Sequence, residues 1–98
     1  MDTRSLRYAI TLAEELHFGR AAQRHYIGAQ PFGRHIKELE RELGVRLFER
    51  TSRRVTVTPA GRRVVAEARV ILAALDALSA PRRWAGSDEA KTPDDPNS

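Results

Sequence analysis

QPFGRHIKELERELG, residues 30–44, preceded by the small-residue turn Ile27-Gly28-Ala29, constrains how the rest of the chain can be arranged. Its apolar side chains Phe32, Ile36, Leu39 and Leu43 recur at i, i+4, i+7 and i+11, which keeps one face of an α-helix turned to a core. The opposite face carries Gln30, Arg34, His35, Lys37, Glu38 and Arg41. Proline is tolerated in a first helical turn and not deeper, so Pro31 requires the helix to begin near Gly28 or Ala29. Gly44 can take the left-handed conformation that closes a helix, which places the end near Leu43. A polar, basic face on a helix that follows a tight turn suits the major groove of DNA, although a plain amphipathic core helix would show the same spacing.

Upstream, residues 4–16 place Leu6, Ile10, Ala13 and Leu16 on one stripe, with Ala9 and Leu12 beside it. They predict a first helix packed on the core and capped by Thr3 or Ser5. His17-Phe18-Gly19 breaks the pattern, and Phe18 is the apolar side chain available to anchor that turn. Residues 19–26, GRAAQRHY, predict a short helix whose Ala21 and Ala22 let a neighbouring helix approach closely. Two helices joined by a three- or four-residue turn containing glycine describe a helix-turn-helix.

Downstream, Val55-Thr56-Val57-Thr58 alternates strictly with β-branched residues, and Leu47 and Phe48 supply an apolar stretch before it. Between them lies the polar tip Arg50-Thr51-Ser52-Arg53-Arg54. A two-stranded hairpin after a helix-turn-helix is a wing, and Arg50, Arg53 and Arg54 can reach phosphates or a minor groove. Thr58-Pro59 then reads as N-cap and first helical position. From there to about Ala80, Val64, Ala68, Ile71, Leu75 and Leu78 step by four, three, four and three, and Val65 and Leu72 widen the stripe. Twenty-odd residues make roughly 30 Å of helix, more than so small a body can cover, so this seam is expected to pair with a second copy while its first half packs on its own domain.

The fold class that follows is mainly α: a winged helix-turn-helix of three helices and a two-stranded wing over residues 1–58, a long dimerisation helix over 59–80, and a polar tail over 81–98. The tail is rich in proline and acidic residues without periodicity and is expected to be disordered, with Trp84 incidental to it.

Ninety-eight residues hold one domain at most. Lysine and arginine number 17 against 13 acidic residues, and the excess is concentrated in residues 1–86, because residues 87–98 carry four acids and one lysine. That balance suits an anionic partner such as nucleic acid. The absence of cysteine excludes disulfides, thiolate metal sites and a cysteine nucleophile. His17, His25 and His35 share no metal-ligand spacing, His25 and His35 are expected on polar helix faces, and no nucleophile-base pair stands out, so neither an enzyme, a metal site nor a cofactor is expected. No apolar run approaches a membrane span and no signal peptide opens the chain, which suggests a cytoplasmic protein.

The segments LRYAITLAEELHFGRAA and IKELERELGVRLFERTSRRVTVTPAGRRV resemble the N-terminal DNA-binding domain of LysR-type bacterial transcriptional regulators. The most specific matches are Phe18 to Ala22, Leu43 to Arg50 and Thr58 to Gly61. The resemblance implies three helices, a wing and a linker helix that pairs two subunits. It places Ala29, Gln30, Pro31 and Gly33 in the DNA-facing turn of the recognition helix. There the family's base-reading glutamine falls on Ala29 and its phosphate-contacting serine on Gly33. A glutamine stands one position later, at Gln30, about 100° further round the helix. Family members continue into an effector-binding domain; this sequence ends in its polar tail, so no small-molecule effector site is expected in it.

Double-stranded DNA and a second copy of the chain are the expected partners. Phosphate contacts are assigned to Arg20, Arg34, Lys37, Arg50, Arg53 and Arg54, base-edge contacts to Gln30, Arg34 or His35, and the dimer seam to Val64, Ala68, Ile71, Leu72, Leu75 and Leu78. The alternative is a pairing module that forms mixed dimers with full-length regulators and reads DNA weakly itself.

Overall fold

Asp2 caps the first helix: its carboxylate accepts a hydrogen bond from the Ser5 N–H at 2.9 Å. The sequence offers Asp2, Thr3 and Ser5 within one turn, and the extended backbone at Asp2 makes it the N-cap, one residue before the earlier of the two expected candidates. A computed structural model describes residues 1–80; the polar tail and Trp84 lie outside the described residues.

Helix α1 runs Thr3–Glu15, α2 Phe18–Arg24 and α3 Ala29–Leu43; strands β1, Phe48–Arg50, and β2, Val55–Val57, form the wing; and α4 runs Pro59–Ser79. This is the expected order. Helix α1 is central, packing against α2, α3 and α4, so it buries both flanks: Leu6, Ala9 and Leu12, and also Ser5, Tyr8 and Thr11. Leu16 leaves the expected stripe because it is the C-cap in the left-handed conformation (φ 51°) and is exposed.

Helix α2 starts under the His17 side chain, whose Nδ1 accepts the Arg20 N–H at 3.0 Å. It ends at Arg24, two residues before the expected end, because Tyr26 turns left-handed at φ 58° and exposes 95% of its surface. Ala21 and Ala22 are fully buried between the helices, where a longer side chain would hold α3 away. Helix α3 keeps its expected bounds, with Gly28 as N-cap and Gly44 as left-handed C-cap at φ 75°. Its face of Phe32, Ile36 and Leu39 is buried, and Leu43 is packed at the edge of the core.

The wing is antiparallel, pairing Phe48 with Val57, Glu49 with Thr56 and Arg50 with Val55. Two devices fix it to the helices. The Glu40 carboxylate, through Oε2, accepts the N–H groups of Leu47 at 2.8 Å and Phe48 at 3.2 Å, satisfying two donors that precede and open the strand. Thr58 caps α4 by accepting the Gly61 N–H, and its hydroxyl donates to the Arg46 carbonyl at 2.6 Å. Helix α4 thus starts at the expected boundary after residue 58, but that boundary is a change of element and not of core. Ala68 and Leu72 are buried with α1 side chains in the same cluster, and Val65 is buried beside them on α4.

Candidate nucleic-acid interface

The N-terminal turns of α3 and the end of β1 enclose a shallow groove of about 330 Å³. Ala29, Gln30, Gly33, Arg34, Lys37 and Arg50 line it, with the Phe18 ring at its side. Six of the residues assigned to DNA from the sequence therefore share one surface. The helical period explains this: positions 30, 33, 34 and 37 lie on the face opposite Phe32, Ile36 and Leu39, so burying one set displays the other. At Gly33 an added Cβ would meet only the Phe18 ring, at 3.9 Å, so the site has room for a side chain it lacks.

Arg53 and Arg54 stand at the exposed wing tip, outside this groove. Their backbone is fixed nonetheless: the Thr51 hydroxyl accepts both N–H groups at 3.2 Å, and the Thr51 N–H donates to the Arg54 carbonyl at 2.9 Å. Pro31 is half-buried. Two further assigned residues, Arg20 and His35, lie outside this groove. Arg20 is engaged within the protein, ion-paired to the Glu15 carboxylate at 3.3 Å and donating to the Glu15 carbonyl at 3.4 Å. His35 is half-buried with its ring edge-on to Tyr8 at 5.1 Å, so it faces α1 instead of joining the groove.

The cations differ in their ion pairing. Arg7, Arg20, Arg24, Arg41, Arg46 and Arg69 each have a carboxylate partner. Arg34, Lys37, Arg50, Arg53 and Arg54 have none among the described residues, and neither do Arg4, Arg62 and Arg63 on α1 and α4. Charge on the recognition face and wing is left uncompensated, which produces the positive potential that attracts a polyanion.

Behind the groove, His25 departs from the expected polar helix face. It is the C-cap of α2, and its ring lies 4.6 Å from Tyr8 and stacks on Phe32 at 6.2 Å. The Thr11 hydroxyl lies 3.0 Å from the Arg7 carbonyl, to which it donates, and 2.8 Å from His25 Nε2; with its one proton on the carbonyl, the His25 contact is made by the Nε2–H tautomer. Burial, then the nearby charges of Arg24 and Arg7, push the His25 pKa below the usual imidazole value. The neutral ring is therefore the form the fold favours. The stability this contributes is complete above the unfolded imidazole pKa of about 6.5 and is lost as the pH falls from there through the lower folded value. Thermal melts should show a higher Tm at pH 7.5 than at pH 5.5, and His25→Gln, which can still donate to Thr11, should flatten that difference. An unchanged difference in the variant would assign it to other groups.

The second assigned surface divides too. Ala68, 1% exposed, and Leu72, 6% exposed, belong to the protein's own core and leave no area for a partner. Val64 is half-buried against that core. Ile71, Leu75 and Leu78 are 47%, 37% and 59% exposed and share one face at i, i+4 and i+7. An apolar groove of about 410 Å³ runs beside them, lined by Leu6, Leu43, Val45, Val64 and Ile71 among others.

Sequence reasoning did not reach Glu40 or the groove role of Phe18. Glu40 carried no local signal, since its partners lie seven and eight residues ahead across a loop. Strand parity could have flagged the Phe18 neighbourhood, because Phe48 and Arg50 must share a face of β1.

Residues 3–62 match the family described as bacterial regulatory helix-turn-helix protein, lysR family. The chain is 45% identical over 89 residues to the transcriptional regulator XapR of Escherichia coli, covering 91% of this chain and 30% of that protein. It is 46% identical over 72 residues to the transcriptional dual regulator OxyR of Escherichia coli, covering 74% of this chain and 24% of that one. The chain thus spans less than a third of the length of either regulator. Among solved structures, the BenM DBD in complex with catB site 1 DNA superposes with TM-score 0.79 at 33% identity, covering 95% of this chain and all of that one. The CbnR DBD–DNA complex does so with TM-score 0.78 at 37% identity, covering 89% and 99%. From the match over residues 3–62, the identities and these superpositions, the chain belongs to the LysR family of bacterial helix-turn-helix regulators, and its described residues form that family's DNA-binding domain and not an enzyme.

Proposed function

We propose that the chain is a sequence-specific regulator of transcription that lays α3 in the major groove of double-stranded DNA as a homodimer, acting in the bacterial cytoplasm. The observation that carries this reading is the convergence of Ala29, Gln30, Gly33, Arg34, Lys37 and Arg50 on one groove whose cations have no acidic partner among the described residues. Gln30 and Arg34 are the base-edge readers, because amide and guanidinium groups match adenine and guanine edges in the major groove. Lys37 and the wing arginines contact phosphates, which fix register without reading sequence. Relatives support the partner: BenM and CbnR domains of the same fold were solved as DNA complexes. The dimer surface is the face of Ile71 and Leu75 with the apolar groove beside it. On this reading the chain divides functionally into a DNA-binding unit over residues 1–58 and a pairing helix over 59–80.

Gel-shift with genomic fragments, including the region upstream of the chain's own gene, tests the reading directly. Retained dimerisation with no selective shift would favour the pairing-module alternative. The wing makes a separate prediction. Arg53→Ala and Arg54→Ala should each weaken binding to all duplexes about equally and reduce the slope of log affinity against log salt by roughly one. Wing variants with unchanged affinity and slope would return these arginines to a solvating role.

A further inference from the structure

Arg50 is placed unlike the other wing arginines. It is the last paired residue of β1, fixed opposite Val55, and it shares the inward face of that strand with buried Phe48, while Glu49 points away. Its guanidinium carbon lies 4.4 Å above the centroid of the Phe18 ring. Phe18 is held in turn, edge-on against the fully buried Phe32 at 6.2 Å. No carboxylate among the described residues pairs with Arg50.

We propose that Phe18 is a positioning residue for DNA binding: its ring holds the Arg50 guanidinium at the height where a backbone phosphate enters the groove between α3 and the wing. The proposal rests on the DNA-binding reading of that groove. A guanidinium laid over a ring is held by its face, through attraction to the negative π surface, and its N–H edges stay free. Those edges can then grip a phosphate with two parallel hydrogen bonds. A carboxylate partner would hold the arginine equally still but would occupy the same donors and cancel the charge. The aromatic partner does neither. Gly33 contributes by absence, since its missing side chain leaves the Phe18 ring bordering the groove. Besides the Glu40 hydrogen bonds, the recognition helix and wing are thereby linked through one ring: Phe18 packs on α3 through Phe32 and on β1 through Arg50.

The test is a double-mutant cycle of Phe18→Leu and Arg50→Ala on a duplex selected by the wild-type protein, with Kd and salt slope read by fluorescence anisotropy well below each variant's Tm. Arg50→Ala is expected to weaken binding and lower the salt slope by about one. Phe18→Leu in the wild-type background should weaken binding about threefold to tenfold, the scale of a partly desolvated cation–π contact. In the Arg50→Ala background it should change Kd by less than about twofold, because its loss acts through the arginine. Phe18→Tyr, which keeps a ring under the guanidinium, should restore most of the affinity. Additive effects of Phe18→Leu and Arg50→Ala would overturn the proposal and leave the DNA reading standing; a wild-type protein that binds no duplex would sink both. Should Phe18→Leu fail to fold, Arg50→Lys asks the same question from the wing. It keeps the charge and loses the planar stack, so a loss of affinity with unchanged salt slope is expected, and wild-type affinity would overturn the proposal.

Discussion

Replacing Gly61 by alanine should cost roughly 1–3 kcal/mol or more, the range of overpacking in a closed core. For a domain of this size that is a fall in Tm on the order of 5–20 °C. The reason is space and not backbone conformation, since Gly61 lies in the first turn of α4 with an ordinary helical backbone. A Cβ there would collide with the Leu47 carbonyl oxygen and come within 2.8 Å of the Val57 Cγ1. The Val57 methyl could rotate away. The carbonyl cannot, because it accepts the Thr58 N–H at 2.9 Å, and Leu47 is tied from its other side to the Glu40 carboxylate at 2.8 Å. Relief would require α4 to lift off the base of the wing, opening the contacts of Thr58 with Arg46 and Leu47 together. Circular-dichroism melts measure the effect, and a variant melting within two or three degrees of wild type would show that the loop can yield.

The same corner shows what was legible in the sequence and what was not. Helix starts and stops were readable where residue chemistry is restrictive: Pro31 and Gly44 bracket α3, and Thr58-Pro59 opens α4, because few other conformations accept those residues. Alternating Val-Thr gave the second wing strand for the same reason. Asp2 was obscured by two neighbouring residues of equal capping chemistry, a choice made only by the backbone angles at the helix entry. Leu16 obeyed the helical period and still left the core, since the period says nothing about a left-handed exit from the helix. His25 reads as polar in sequence. It enters the aromatic cluster because Thr11, Tyr8 and Phe32, far off in the chain, give it a hydrogen bond and ring partners. The candidate site divides likewise: its α3 members follow from one helical face, whereas Phe18 and Arg50 meet only through tertiary packing. Periodicity also could not say which half of the α4 seam faced home. Ala68 shares the seam with Ile71 and Leu75 and Leu72 flanks it, and only the position of α1 assigns Ala68 and Leu72 to the protein's own core.

That division makes Leu75→Asp the sharper test of assembly. Leu72 is closed into the core, so a charge there should unfold the protein and report nothing about partners. Leu75 is 37% exposed in the single chain, and an aspartate at that position can stay hydrated while the monomer keeps its fold. In the proposed dimer the same aspartate would lie among apolar side chains of the partner's helix, at a cost of several kcal/mol. Light scattering at tens of micromolar should therefore show wild type as a dimer and Leu75→Asp as a monomer that still melts cooperatively, with Tm lowered only by the lost association. Binding should separate by operator. On a duplex carrying two half-sites, losing the pairing turns a linked second contact into an independent one, and affinity should fall about 10²-fold or more. On a single half-site the variant and wild type should differ little, because α3, the wing and their cations are untouched. A wild-type protein that is already monomeric at these concentrations would remove the dimer from the proposed function. A variant that remains dimeric would move the seam away from Leu75, to the groove lined by Leu6, Leu43 and Val45.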